Sequence, residues 1–358
     1  MMTTDTGSCL LDARTAMARI GSGWQRIADR RILMTGATGF IGRWLLASLL
    51  EANRSLALGC EVIVITRDPG RFLRESPRLA DDPSVRLVAG DVLDPLPDLG
   101  PVDLVVHGAA DVARPARPDI TFDVCAHGTR HVLDAARRGG ATDMLLLSSG
   151  AVYGRQPESL AMTPETWLGS HDPLDARSAY GLGKLAAEWL VTEHGRTAGI
   201  GTRIARCFAF VGPMMPMDGP FAIGNFIRDA LEGRPIRITG DGTPLRSYLY
   251  AADMAAWLWR ILLDGQPGRA YNVGGPQALS IAELAELVDR TLGTRVGVEC
   301  LRAARPGQPI ERYLPDLTRA RDELGLTAWT GLPEAIDRTA HWYRATLDAR
   351  RGAIAAAA

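Results

Sequence analysis

The stretch RILMTGATGFIGRWLLASLLEA, Arg31 to Ala52, decides how the rest of the chain is read. RILMT is short and apolar, as a buried strand is, and the helical run FIGRWLLASLLEA begins a few residues later. Between them stand Gly36, Gly39 and Gly42, spaced G-x-x-G-x-x-G. The first glycine permits a tight turn, the second lets a pyrophosphate approach the backbone, and the third packs helix against strand. The helix N-terminus then faces the phosphates with free N–H groups. Gly36, Thr38, Gly39, Phe40, Ile41 and Gly42 are the expected contacts to a dinucleotide.

Beyond this unit the pattern repeats. EVIVIT, VRLVAGD, VDLVVHGAA, DMLLLSS and GTRIARCF read as strands, with TRHVLDAARR and AYGLGKLAAEWLVTEHG as helices among them. Continuous apolar strands alternating with helices predict a parallel sheet covered on both faces, a doubly wound (Rossmann) α/β fold. After Val211 the texture changes to a Pro/Gly/Met loop, short strands and helices. SIAELAELVDRTLG carries a capping box, Ser280 with Glu283 three residues on. The expected division is an N-terminal extension over 1–29 and a dinucleotide-binding domain over 30–211 with returning elements near 245–275. A smaller α+β substrate lobe takes 212–244 and 276–345. LLDARTAMARI in the extension predicts an amphipathic helix without chemistry of its own.

Composition narrows the function. The formal net charge is −1 and the pI near 6.6, which gives no footprint for nucleic acid. No apolar run reaches the roughly 18 residues of a membrane span. The N-terminus lacks a basic start and an apolar core, so no secretory signal is expected. The five cysteines are scattered without a CxxC pair, which argues against a disulfide framework or a metal site. A cytoplasmic setting is the expectation.

One residue type is nearly missing. Of 40 Lys and Arg residues, Lys184 is the single lysine. It stands four residues after Tyr180 in a predicted helix, so the two side chains share a face. A tyrosine titrates near 10, and a neighbouring ammonium is expected to favour its phenolate. A compact ammonium can also reach a cofactor ribose, which a bulky guanidinium does poorly. The third partner is a hydroxyl at the end of the fifth strand, where open α/β sheets bind ligands. SSGAVYG supplies Ser149, with Ser148 as a structural neighbour.

The end of the second strand bears on the cofactor. An acid for the ribose hydroxyls is usual there, yet VITRDPGRF places Thr66 and then Arg67. A guanidinium suits a 2′-phosphate, so the expectation leans to NADP(H) over NAD(H). Asp91 and Val92, after the third strand, are expected beside the adenine.

Together these residues resemble the extended short-chain dehydrogenase/reductase family, in particular its nucleotide-sugar epimerases, dehydratases and reductases. TGATGFIG, SSGAVYG, SAYGLGK, RIARCFAFVGP, GDGTPLRSYLYAADMA, YNVGG and RPGQP carry the resemblance from about Arg31 to about Tyr343. It implies catalytic roles for Ser149, Tyr180 and Lys184, and a nucleoside diphosphate sugar in the C-terminal lobe held by Asn225, Arg246 and Arg305. It also implies a homodimer. The 4,6-dehydratases of this family carry an Asp-Glu pair after the catalytic hydroxyl residue. Here Gly150 and Ala151 stand there, and neither transfers a proton. The reading that follows is hydride transfer at C4 of the sugar, as an epimerase or 4-ketoreductase. The alternatives are a dehydratase with a displaced acid such as Glu158 or Glu165, and a non-catalytic dinucleotide-sensing protein on the same fold.

Overall fold

The computed structural model describes residues 7–110, 117–305 and 307–357, with residues 7–10 and 349–357 as backbone only. Six strands follow one another: β1 (Arg31–Thr35), β2 (Glu61–Thr66), β3 (Val85–Ala89), β4 (Leu104–His107), β5 (Asp143–Ser149) and β6 (Gly201–Cys207). Arg269–Val273, numbered β11 in chain order, joins them late as an edge strand. The sheet order is β11-β6-β5-β4-β1-β2-β3 and every pairing is parallel. The chain starts mid-sheet, builds outward through β2 and β3, then crosses to β4 on the other side of β1. That reversal between β1 and β4 opens a crevice beyond the strand ends, where such sheets take their ligands. All four residues of β4 are buried, as a strand covered on both faces requires.

Helix α1 (Gly7–Ile20) leads into a short 3-10 segment, Gly21–Ile27. Next come α2 (Phe40–Leu56), α3 (Pro69–Glu75), α4 (Pro77–Ala80), α5 (Pro118–Gly139) and α6 (Ala179–Ala198). Two apolar layers flank the sheet: Trp44, Leu45 and Leu49 of α2 pack in one, Val132, Leu133 and Val191 of α5 and α6 in the other.

The remaining chain forms β7 (Ala209–Val211), α7 (Ala222–Leu231), β8 (Ile236–Ile238), β9 (Leu245–Arg246), β10 (Tyr248–Tyr250) and α8 (Ala251–Asp264). After β11 follow β12 (Leu279–Ser280), α9 (Ile281–Leu292), β13 (Val298–Cys300), β14 (Arg312–Tyr313), α10 (Thr318–Leu324) and α11 (Leu332–Ala357). These strands form small sheets, β10 with β7, β12-β9-β14, and β13 with β8. The capping box holds at α9: Glu283 N–H donates to Ser280 Oγ at 3.1 Å, and Ser280 N–H donates to Glu283 Oε2 at 2.7 Å.

The N-terminal helix is built into this body. Trp24 is fully buried, 5.3 Å from Trp259 of α8 by ring centroids, and its indole N–H donates to the Met17 carbonyl at 3.0 Å. Asp12 of α1 accepts from the Tyr250 hydroxyl and from Arg338 of α11, and Arg19 pairs with Asp253 of α8. A segment without chemistry in its sequence thus locks α8 to α11. Among the described residues no helix is long and apolar enough to cross a membrane, and no cluster of ligating side chains could hold a metal ion.

Candidate active site

A cleft of about 890 Å³ runs along the carboxyl ends of β1, β2, β3, β4 and β5 and on between the sheet and the C-terminal lobe. One end is the glycine loop. Gly36 has φ +74°, and a Cβ there would lie 2.5 Å from the Gly108 carbonyl carbon, so the turn needs glycine. A Cβ on Gly42 would lie 2.2 Å from the Gly36 oxygen, which is why α2 can start so close to β1. At Gly39 the only close atom is the Gly36 oxygen, at 3.4 Å. A side chain there would fill the cleft floor. Gly39 is the N-cap of α2 and offers no side-chain cap, so the first N–H groups of the helix are free for an anion. The loop fits a dinucleotide pyrophosphate.

His107, which the sequence did not single out, braces the loop from beneath. Its Nδ1 lies 2.7 Å from Thr35 Oγ1 and its Nε2 3.0 Å from Thr129 Oγ1. Thr129 Oγ1 donates to the Cys125 carbonyl, so Nε2 carries the proton and Nδ1 accepts from Thr35. Burial, and then the charge of Lys184, hold this imidazole neutral, with its pKa lowered to about 3.

Arg67 and Asp68, at the end of β2, both line the cleft, as do Asp91 and Val92 after β3. Asp68 also caps α3, accepting from Arg71 N–H at 2.8 Å. Arg43, on the first turn of α2, reaches Glu75 at 2.8 Å.

At the middle of the cleft β5 and α6 meet. Ser148 also borders the cleft, but its hydroxyl is spent on Glu188, which is held by Arg206 at 2.7 Å. Ser149 faces the cleft, and its Oγ accepts from Ala151 N–H at 3.1 Å. Tyr180 lines the same stretch of cleft, close enough to Ser149 for the hydroxyl to favour its phenolate. Lys184 is buried one turn along α6, its Nζ donating to the Leu147 carbonyl at 2.8 Å. The three expected residues therefore share one wall. Their electrostatics differ from the expectation. Burial pushes the Tyr180 phenol above its ordinary value of 10, and the Ser149 hydrogen bond only partly offsets this. Lys184 spends one N–H on a backbone carbonyl, so the protein alone holds the phenol protonated.

The C-terminal lobe supplies the far end. Arg246 lines the cleft, with its guanidinium bonded to the Leu245 carbonyl and paired with Glu311. Asn225 and Arg305 do not line it. Asn225 sits on the first turn of α7 and turns its amide back to the Gly219 carbonyl at 3.0 Å. Arg305 is exposed on the segment between β13 and β14. Tyr313 is present instead, its hydroxyl 3.3 Å from Ser149 Oγ. No short motif marks it; only the pairing of β14 with β9 brings it in, opposite Arg246.

Among the described residues, carboxylates line only the glycine-loop side: Asp68, Glu75 and Asp91. Glu165 is buried outside the cleft, accepting from Asn272 N–H at 2.9 Å, and Glu158 is exposed elsewhere. Neither takes the place of an acid after Ser149.

A dinucleotide fold with a Ser, Tyr and Lys at the strand ends defines a class, and residues 32–274 match the NAD dependent epimerase/dehydratase family. The chain belongs to that family. UDP-glucuronic acid decarboxylase 5 of Arabidopsis thaliana is 32% identical over 312 residues, 86% of this chain and 88% of that one. A dTDP-glucose 4,6-dehydratase from Streptomyces venezuelae, solved with NAD bound, superposes with a TM-score of 0.74 at 28% identity, covering 88% of this chain and 97% of that one. MoeE5, solved in complex with UDP-glucose and NAD, gives 0.72 at 28% identity, covering 88% and 99%. These relatives are named for nucleotide sugars or solved with one bound, and the lean toward NADP(H) drawn from Arg67 finds no support among them.

Proposed function

We propose that this chain transfers hydride at C4 of a nucleoside diphosphate hexose, as an epimerase or 4-ketoreductase. The observation that carries the reading is the wall shared by Ser149, Tyr180 and Lys184, with no carboxylate at the sugar end of the cleft among the described residues. Tyr180 exchanges the proton of the C4 oxygen. Because burial keeps the phenol protonated, its resting task is to donate to a C4 carbonyl. Ser149 donates a second hydrogen bond to that oxygen as charge develops. Lys184 has two N–H donors left beyond the Leu147 carbonyl. They hold the ribose of the dinucleotide, and the ammonium supports the phenolate when the proton leaves. A bound nicotinamide dinucleotide supplies or takes up the hydride. Arg246 meets the diphosphate, exchanging its Glu311 partner for a phosphate oxygen.

The cofactor we assign is NAD(H). Asp68 lines the cleft one residue beyond Arg67 and accepts ribose hydroxyls, and the solved relatives at 28% identity carry NAD. Titration of intrinsic fluorescence with NADH and NADPH checks it: tighter NADPH binding, lost in Arg67→Ala, reverses the assignment.

A second reading has one observation in its favour, the 32% identity to a UDP-glucuronic acid decarboxylase. Oxidation at C4 of a uronic acid gives a β-keto acid that loses carbon dioxide without an acid at position 150, so the same wall would serve. A 4,6-dehydratase would instead need the missing acid pair. One experiment separates these. The purified protein is examined by mass spectrometry for bound dinucleotide, then incubated with UDP- and dTDP-glucose, their 4-keto derivatives and UDP-glucuronic acid. Inverted or reduced C4 products support the main reading. Carbon dioxide release supports the second, and a 4-keto-6-deoxy product overturns both. Absence of turnover on every one of these sugars, with Tyr180→Phe leaving the cellular role unchanged, would restore the non-catalytic alternative.

A further inference from the structure

Gly150 and Tyr313 form a matched pair beside Ser149. A Cβ on Gly150 would lie 2.8 Å from the Tyr313 hydroxyl and 2.7 Å from Cζ of Phe208. The Phe208 and Tyr313 rings pack at 4.6 Å, and the Arg246 guanidinium lies 5.8 Å from the Tyr313 ring centre. The space that a side chain after Ser149 would need is therefore taken by a phenol arriving from β14. That phenol stands 3.3 Å from Ser149 Oγ and donates to the Cys207 carbonyl at 3.4 Å.

We propose that Tyr313 is a positioning residue for Ser149, fixing the direction in which the serine proton is donated. The proposal rests on the reading of Ser149 as a donor to the C4 oxygen. A serine hydroxyl has one proton and two acceptor sites. Ala151 N–H fills one acceptor site. In the free cleft the Tyr313 proton rests on the Cys207 carbonyl, and the Ser149 proton has the Tyr313 oxygen 3.3 Å away as its partner. When a sugar oxygen arrives beside Tyr180, the Ser149 proton turns to it. The second acceptor site then takes the Tyr313 proton, which rotates off the Cys207 carbonyl. Both steps are rotations of O–H bonds, and no covalent bond breaks. With both acceptor sites filled, Ser149 can only donate outward, and the successive bonds polarise one another. Tyr313 suits the task because burial keeps it protonated, with its pKa raised to about 12. The groups facing it are Ser149, Tyr180, Cys207 and Arg246.

The test uses the full chain and whichever nucleotide sugar turns over in the screen above. Tyr180→Phe comes first. If it turns over at the wild-type rate, or if no sugar turns over at all, the underlying reading fails whatever Tyr313 does. With that reading secured, Tyr313→Phe is expected to lower kcat about tenfold, with KM and the affinity for the matching diphosphate, UDP or dTDP, changed by less than about threefold. Ser149→Ala combined with Tyr313→Phe is expected to be no slower than Ser149→Ala alone, within about twofold. A Tyr313→Phe enzyme at the wild-type rate overturns the proposal. So does the same tenfold loss in the Ser149→Ala background, since Tyr313 would then act without the serine. Should Tyr313→Phe lose binding of that diphosphate, 3-fluorotyrosine at position 313 keeps the shape and makes the phenol more acidic. A new fall in kcat at alkaline pH is then expected, and an unchanged pH profile overturns the proposal.

Discussion

Gly150→Ala adds one methyl group where the structure has no room for it. The new carbon would sit 2.7 Å from Phe208 Cζ and 2.8 Å from both Phe208 Cε1 and the Tyr313 hydroxyl. The carbon–carbon contact falls short of an ordinary separation of about 3.5 Å by roughly 0.8 Å, so the ring and the phenol must shift. Overpacking of this size costs about 1–3 kcal/mol. With 358 residues the unfolding entropy is about 0.75 kcal/mol/K, so the melting temperature drops by only about 1–4 °C. Turnover suffers more, because the shifted groups adjoin Ser149 and a misplacement near 1 Å costs about 100-fold. The assay pairs thermal denaturation with steady-state kinetics on the sugar identified by the screen. Gly150→Asp extends the test: the carboxylate has no room to reach the sugar, so no 4-keto-6-deoxy product forms. A Gly150→Ala enzyme with wild-type kcat, or elimination by Gly150→Asp, would refute the reasoning about this crowded corner.

Lys184→Met is expected to lower turnover by about 100-fold or more while the protein stays folded. Because the ammonium contributes to holding His107 neutral, its removal moves the His107 midpoint up from about 3, and an unmoved imidazole by NMR titration contradicts that placement. Burial pushes the phenols of Tyr153, Tyr180, Tyr250 and Tyr313 above their ordinary value of 10. The unfolded chain therefore gives up these protons first, and stability falls as pH rises through 10; a melting temperature flat across that range counts against the burial of these groups. Trp24→Ala removes a fully buried ring at a cost of about 3–5 kcal/mol, which lowers the melting temperature by about 4–7 °C. A loss under about 1 °C would mean that the N-terminal helix does not brace the fold.

How much of this was legible in the sequence depended on distance along the chain. β1, the glycine loop and α2 are contiguous, so Arg31–Ala52 shows them directly. Tyr180 and Lys184 lie one helical turn apart, and periodicity alone places them together. Ser149 was found because the fifth strand ends there, and strand ends are where this topology opens. Tyr313 was not legible, being 164 residues from Ser149 and delivered by a two-residue strand with no pattern of its own. The bonds of Asp12 to Tyr250 and Arg338 span 238 and 326 residues, which no local signal reports. Asn225 and Arg305 are the reverse case, expected at the sugar end but standing away from the cleft wall. Their positions fit a motif, but side-chain direction is a tertiary property, and the Gly219 carbonyl claims the asparagine. The Tyr180 phenol stands above its ordinary pKa for a related reason: proximity to Lys184 on a helix says nothing about how deeply the phenol is buried.

The single lysine gives the chain an unusual chemical handle. Lys184 is the only side-chain amine in the sequence, and it is buried at the wall of the cleft. Reductive methylation with isotopically labelled formaldehyde would mark that one side chain among 358 residues, and its resonance would report occupancy of the cleft. Crosslinkers and immobilisation resins that seek amines will find no lysine on the outer surface. If Lys184 has the proposed role, any that do react there will disable the protein, and a ligand that shields the amine will be revealed by the activity it preserves.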